Sequence, residues 1–397
     1  MCFNVKSPCH RFSGQGDFLC VLILGDADSD LIRQYVDNVL IKQGTQVVIA
    51  SENYKGRFKD FYEEKGVTVV CLASIKRIPL IDRIPKLCGF VRIVQAQLAL
   101  KRLAPYDVVH IHFVNKTKLR IADALKNGKS RVVVSFWGSD ILRRNRRELY
   151  SLRRFLERAD CITVVVQSMQ DRFREVFGDR FDSKLFRTVF GGDCLDIISE
   201  LQKTVTKEEC KRHFGLDSER ITVAVGYNRI PEQQHDRMLE QISELPQRYL
   251  DRIQVVLPFA YGAESDDYTK KLECIISAMR CPVYIKRDFL FSQELAKFRL
   301  AADIYVNAQT TDAFCMSMRE YICSGAAVIN AAWLKYEDLE KNEIKYMSFD
   351  TFDALPEILK KVIDNGFDTA GNTEKMLEIS SWSSARETWN LCYESVK

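Results

Sequence analysis

Two acids in the stretch "TDAFCMSMREYICSGAAVIN" (311–330) have the type and spacing to do chemistry: Asp312 and, eight positions on, Glu320. Before them "AADIYVNA" is a short β-rich run, and after them "GAAVIN" is another. Between the two runs Phe314, Met318, Tyr321 and Ile322 fall at helical spacing, so the segment reads strand, loop, helix, glycine stop, strand. In such a βαβ unit the loop before the helix lies at the carboxyl end of its strand, where open α/β sheets take ligands. Asp312 would stand in that loop and Glu320 about two turns into the helix, with free N–H groups between them to meet an anion. Two hydroxyl acceptors flanking a phosphate seat suit a sugar nucleotide. A solvated Asp and a helix-surface Glu are the plainer alternative.

Other residues invite the same question. His110 and His112 in "VVHIHF" alternate on one strand and point the same way. His112, nearer the carboxyl end, would reach a ligand, unless both are hydrogen-bonded core histidines. Trp137, Gly138 and Asp140 end the next strand in "VVVSFWGSD", where Asp140 either caps the following helix or holds a substrate hydroxyl. His235 opens a helix at a later strand end, as a phosphate-binding cation or as a cap. Gly262 permits a turn, and Tyr261 beside it either stacks on a base or is buried with its hydroxyl satisfied. "LRRNRRELYSLRRFLERAD" crowds Arg143, Arg144, Arg146, Arg147, Arg153 and Arg154 together. Arginine suits phosphate recognition, though a solvated helix face would look the same. "SIKRIPLIDRIPKLCGFVRIVQAQLALKR" mixes apolar and basic residues, and either lies on an anionic membrane surface or packs as an ordinary helix.

The elements that must position these residues alternate almost throughout. "FLCVLILGD" is a continuous apolar run, as a parallel strand buried on both faces requires. "TQVVIAS", "VTVVCL", "DVVHIHFV", "RVVVSFWG" and "CITVVV" continue the series, with helical stretches between most of them. After "KLFRTVFGGDCLDI" the pattern restarts with "RITVAVGYN", "RIQVVLPFAYG", "CPVYIKRDFL", "ADIYVNAQ" and "AAVINA". The spacing predicts two doubly wound α/β domains divided near residues 190–206, with strand ends lining a cleft between them. The lead-in 1–17 belongs to no element.

Bulk properties narrow the class. The chain has 397 residues, 46% hydrophobic and 28% charged, and no stretch approaches the roughly 20 apolar residues of a membrane span. The N-terminus has no apolar core of a signal peptide. The 13 cysteines are odd in number and scattered, with no C-x-x-C pair and no metal-ligand spacing, which suits reduced core residues in the cytoplasm. Net charge is +4 overall, but residues 1–190 carry +13 and the remainder −9. The basic half could face nucleic acid, anionic lipid or a phosphate-bearing acceptor. No aromatic stacking pattern accompanies the arginines, so nucleic acid is not an expected partner.

"ADIYVNAQTTDAFCMSMREYICSGAAVI" resembles the donor-binding signature of retaining GT-B glycosyltransferases: an acid, seven residues, a Glu, a small-residue helix end, Gly and a short strand. Asp312, Glu320 and Gly325 occupy the matching positions. "SSWSSARETWNLCYESV" resembles the family's closing helix, and "VVVSFWGSD" its Gly-x-Asp segment. A looser likeness, to lipid-linked 4-acetamido-fucose transferases of surface-polysaccharide assembly, rests on Gly226, Asn228, His235, Leu257, Pro258, Tyr261 and Gly262. Two customary cations are absent: the family's Gly-Arg and Lys-Gly are Gly226-Tyr227 and Gln234-His235 here, and Trp137 stands where a His is common. Arg229, His235 or Lys286 would have to supply that charge.

The resemblance implies a GT-B fold. It comprises an acceptor domain over 1–195, a nucleotide-sugar donor domain over 206–375, and a helix within 376–397 crossing back to the first domain. It implies a metal-independent retaining transferase with no cofactor. Its donor would be an NDP-sugar, and its acceptor a glycan or a polyprenyl-diphosphate-linked sugar, met in the cytoplasm at the inner membrane face. Asp312, Glu320 and His112 would be catalytic. Gly226, Asn228, Arg229, His235, Tyr261 and Gly262 would bind the donor, together with the backbone N–H groups of Phe314, Cys315 and Met316. Trp137, Gly138, Asp140, Arg143 and Arg144 would face the acceptor. A nucleotide-sugar epimerase and a catalytically degenerate binding module share the same layout.

Overall fold

The structure is a computed structural model that describes residues 19–75, 85–103, 105–126, 130–262 and 266–396. The lead-in 1–17 and residues 76–84 of the mixed apolar and basic stretch lie outside the described residues. The chain forms two compact units, residues 1–191 with 385–397, and residues 192–384.

The first unit is a parallel sheet of β1 (Cys20–Leu24), β2 (Gln46–Ser51), β3 (Thr68–Cys71), β4 (Val108–His112), β5 (Arg131–Ser135), β6 (Cys161–Val164) and β7 (Leu185–Arg187). Its strand order is β3-β2-β1-β4-β5-β6-β7. The second unit contains β8 (Ile221–Val225), β9 (Ile253–Pro258), β10 (Val283–Lys286), β11 (Ile304–Asn307), β12 (Ala327–Ala331) and β13 (Met347–Phe349), all parallel, in the order β10-β9-β8-β11-β12-β13. The helices used below are α1 (Asp30–Tyr35), α2 (Pro85–Lys101), α3 (Lys116–Leu125), α4 (Ser139–Leu142), α5 (His235–Ser243), α6 (Ser292–Leu300), α7 (Met316–Cys323) and α8 (Trp382–Glu394).

The apolar runs are the central strands. β1, β4, β9, β11 and β12 are buried along their whole length, as strands covered by helices on both faces must be. The alternation read from the sequence is therefore a pair of doubly wound sheets. β7 and β13 did not stand out in the sequence because three residues carry too little periodicity. In each sheet the strand order reverses once, at β1/β4 and at β8/β11. There the loops leave the sheet toward opposite faces and open a crevice at the carboxyl ends.

The final helix α8 runs from the second unit into the first. Trp389 is fully buried there and donates its indole N–H to the Val189 carbonyl at 2.8 Å. The Tyr393 and Tyr35 hydroxyls meet at 2.7 Å, and Tyr393 also lies 2.8 Å from His110 Nδ1. The Cys392 thiol sits 2.9 Å from that of Cys161 on β6. Removing a buried Trp costs about 3–5 kcal/mol, so these last residues are part of the first unit's core.

Candidate functional site

The second unit's crevice is built from two loops. The one after β8 begins at Gly226, whose φ of +62° lies in the left-handed region. A Cβ at Gly226 would stand 2.5 Å from His235 Nε2 and 3.0 Å from Gln233 Oε1, so glycine is required for space as well as for backbone geometry. The loop then folds on itself. Gln233 Oε1 accepts from the Tyr227 N–H at 3.2 Å, and Asn228 Oδ1 from the Ile230 N–H at 3.1 Å.

The loop after β11 is fastened to it. Gln233 Nε2 donates to Gln309 Oε1 at 3.1 Å, Gln234 Nε2 to the Ala308 carbonyl at 2.6 Å, and the Thr310 N–H to the Glu232 carbonyl at 2.8 Å. The Tyr227 hydroxyl reaches Gln309 Oε1 at 3.2 Å. From β9, Tyr261 joins through its carbonyl, which accepts the Arg229 N–H at 3.0 Å, while Arg229 Nε donates to the Gly262 carbonyl at 2.9 Å. The structure thus brings Gly226, Asn228, Arg229, His235, Tyr261 and Gly262 together with the Asp312 loop.

Asp312 turns out to organise its own loop. Oδ1 accepts the Ala313 N–H at 2.8 Å, and Oδ2 accepts the Cys315 N–H at 2.9 Å and the Tyr336 hydroxyl. Burial raises its pKa against the pull of these donors. This grip holds Phe314 at φ +66°, a position that strains a non-glycine residue. One expectation is corrected here: the Cys315 N–H faces Asp312 and is not available to a phosphate. The Met316 and Ser317 N–H groups, in the first turn of α7, have no partner among the described residues, as the first donors of a helix do unless capped.

Glu320 is not the free helix acid that its spacing suggested. It is 4% exposed, and its Oε2 accepts from Arg299 Nε at 2.8 Å. Arg299, on α6, also donates to the Tyr321 hydroxyl and to Ser317 Oγ, both at 2.9 Å. Its guanidinium pKa is raised in spite of burial, which alone would lower it, by the Tyr321 and Glu320 side chains. Glu320 Oε1 accepts from no described residue and is the oxygen left for a ligand.

Arg319, beside it, was missed in the sequence. It is 3% exposed, its guanidinium lies 4.8 Å from the Phe314 ring centroid, and burial lowers its pKa to about 10. It remains a cation under the turn that carries the free N–H groups. A charged residue on the buried side of a short helix was the only available signal.

The three candidates for the missing charge separate clearly. His235 is fully buried, its Nδ1 lies 3.1 Å from the Tyr268 hydroxyl, and burial holds its pKa at about 3. Burial disfavours its charged form, which weighs against the cation among the two readings of His235, and its Nε2 has no partner among the described residues. Lys286 is drawn to Asp288 at 2.8 Å. Arg229 stands at the loop junction, held by the Tyr261 and Gly262 carbonyls. Tyr261 is 45% exposed and continues into exposed Phe289 and Phe291, with ring centroids 5.8 and then 4.6 Å apart.

In the first unit the arrangement differs from expectation. His112 is fully buried, its ring tilted 34° to that of His110 with centroids 3.9 Å apart, and Tyr35 lies edge-on at 4.9 Å. Burial pushes its pKa well below the usual range. Its Nδ1 accepts from Trp137 Nε1 at 3.3 Å. The absence of exposed surface weighs for the core alternative over the catalytic expectation for His112. Asp140 caps no helix by its side chain. It accepts the N–H groups of Val114, Trp137 and Gly138 at 2.7, 2.8 and 2.9 Å, stitching the ends of β4 and β5 together. Arg144 donates to the Val114 carbonyl at 2.7 Å, bracing the same loop, while Arg143 is exposed and Trp137 half-buried.

Comparison with known proteins agrees with this fold. The Anabaena protein Alr3699/HepE, solved in complex with UDP-glucose, is similar at TM-score 0.72 and 14% identity, over 95% of this chain and all of that one. A glycosyltransferase from Rickettsia africae ESF-5 gives 0.73 at 13% identity, over 96% and 100%. Sucrose-phosphate synthase from Thermosynechococcus elongatus gives 0.71 at 13%, over 95% and 99%. The fold is GT-B. Residues 20–166, all in the first unit, match the family described as glycosyl transferase 4-like. No curated protein matches the sequence.

Proposed function

We propose that this GT-B chain is a retaining glycosyltransferase that binds a nucleoside-diphosphate sugar in its second unit. It passes the sugar to a glycan or polyprenyl-diphosphate-linked acceptor during surface-polysaccharide assembly. The observation that carries the reading is the fastened pair of loops at β8/β11. Gly226, the open N–H groups of Met316 and Ser317, and Glu320 Oε1 all belong to the loops and helix that follow β8 and β11. The N–H pair and the buried Arg319 cation meet the diphosphate, and stabilise the charge that grows on it as the sugar leaves. Glu320 Oε1 takes the ribose hydroxyls. Tyr261, with Phe289 beside it, offers an aromatic face to the base. Asp312 acts by holding the turn in shape. UDP-sugars are the first donors to try, because the Anabaena neighbour was crystallised with UDP-glucose.

The test is release of free nucleotide from UDP-, GDP- and dTDP-sugars by the purified protein, with Glu320→Gln and Gly226→Ala alongside. Turnover of one donor, lost in both variants, is the expected result. Nucleotide binding with no turnover, even when acceptor lipids are supplied, would turn the reading toward a binding module. Absence of binding to any of them would overturn it.

A further inference from the structure

Helix α2 buries one apolar face and exposes another. Ile93, Ala96 and Leu100 point inward, at 8%, 3% and 0% exposure, and the helix packs on α3, with Gln97 Nε2 bonded to the Arg120 carbonyl at 3.1 Å. On the outside Leu87, Phe90 and Leu98 are 42%, 63% and 54% exposed. At about 100° per residue these three fall on one stripe of the helix, away from the buried face. Phe90 is the most exposed large apolar side chain among the described residues. A helix covered only on its inner side normally turns polar residues outward, so this stripe has to be explained.

Charge says what covers it. Residues 85–103 contain no acid, while Arg92, Lys101 and Arg102 are exposed, and residues 1–190 carry a net +13. An apolar stripe with cations at its end, on a basic unit, complements a surface that is apolar below and anionic above. No described helix is long and apolar enough to cross a membrane, so the contact would be one of lying on it. We propose that the outer face of α2 docks the first unit onto an anionic lipid bilayer, with Leu87, Phe90 and Leu98 entering the acyl boundary and Lys101 and Arg102 among the headgroups. The inference deepens the transferase reading, on which it rests for its purpose: a polyprenyl-linked acceptor is met where its lipid is anchored.

The experiment is co-sedimentation of the full chain with sucrose-loaded vesicles of phosphatidylcholine alone or with a quarter phosphatidylglycerol. Phe90→Glu/Leu98→Glu is compared with wild type at 0.05 and 0.3 M salt. Wild type is expected to bind the anionic vesicles, several-fold less at high salt, and the variant at least tenfold less, with its melting temperature unchanged. Phe90→Trp, whose fluorescence shifts blue only if the side chain enters the acyl region, guards against a variant that fails through misfolding. Equal binding to both vesicles, or binding indifferent to the variant and without the blue shift, would overturn the proposal. So would a concentration-dependent dimer, seen by light scattering, that ignores vesicles and disappears in the variant, because the stripe would then belong to a second copy. Donor turnover without vesicle binding sinks this inference alone, and vesicle binding without donor turnover sinks the transferase reading alone.

Discussion

Replacing Arg299 by Met should be among the most damaging single changes in the second unit. Arg299 is 5% exposed and satisfies Glu320, Tyr321 and Ser317. Met fills much of the same volume but leaves the Glu320 carboxylate buried and unpaired. Breaking a buried ion pair from one side costs about 3–5 kcal/mol, because the remaining charge keeps its desolvation penalty. Glu320→Gln, in which the arginine keeps two hydroxyl acceptors, should cost about 1–3 kcal/mol. In Arg299→Met/Glu320→Gln no charge is stranded, so the double variant should be less destabilised than the sum of the singles by at least about 1 kcal/mol. A chain of two units need not unfold in one step. The assay is therefore hydrogen exchange of α7 amides across a urea series, which reports the second unit by itself. Additive costs, or an Arg299→Met penalty below about 1 kcal/mol, would refute a buried interdependent pair.

Four further outcomes follow from the same geometry. Gly226→Ala should weaken UDP binding at least tenfold by calorimetry, since the added methyl would collide with the His235 ring and the residue would be strained at positive φ. His110, His112 and His235 have folded pKa values depressed by burial, His110 and His235 to about 3. The unfolded chain therefore binds more protons as pH falls below about 6.5, and stability present above that value is lost downward at up to roughly 1.4 kcal/mol per pH unit for each histidine. In proton NMR these three imidazoles should stay fixed between pH 8 and 5. Deleting residues 385–397 should melt the first unit by several degrees or more while the exchange protection of β11 and β12 persists.

Much of the fold was legible because buried parallel strands announce themselves as unbroken apolar runs, as "CVLIL" does. The site was legible only in its landmarks. Gly226 and His235 were visible as a pair through a family likeness, but not the collision that makes the glycine obligatory. Asp312 and Glu320 had the right spacing, yet their hydrogen bonds are decided by Tyr336 and Arg299, 24 and 21 positions away, whose arrival depends on the packed sheet. His112 looked like a reachable strand-end histidine. Its burial comes from Tyr35 and the C-terminal Trp389, which no local pattern connects to it.

Because α8 closes the core around Trp389, the first unit is two pieces of chain with the whole second unit inserted between them. On the ribosome, residues 192–384 must be made after the first sheet has emerged and before its last helix exists. At roughly 5–20 residues per second that is an interval of about 10–40 s. Throughout it, the groove that will hold Trp389 and Tyr393 is open to water and to other chains. The second unit, contiguous in sequence, is free to finish folding first, so the order of maturation runs against the order of synthesis.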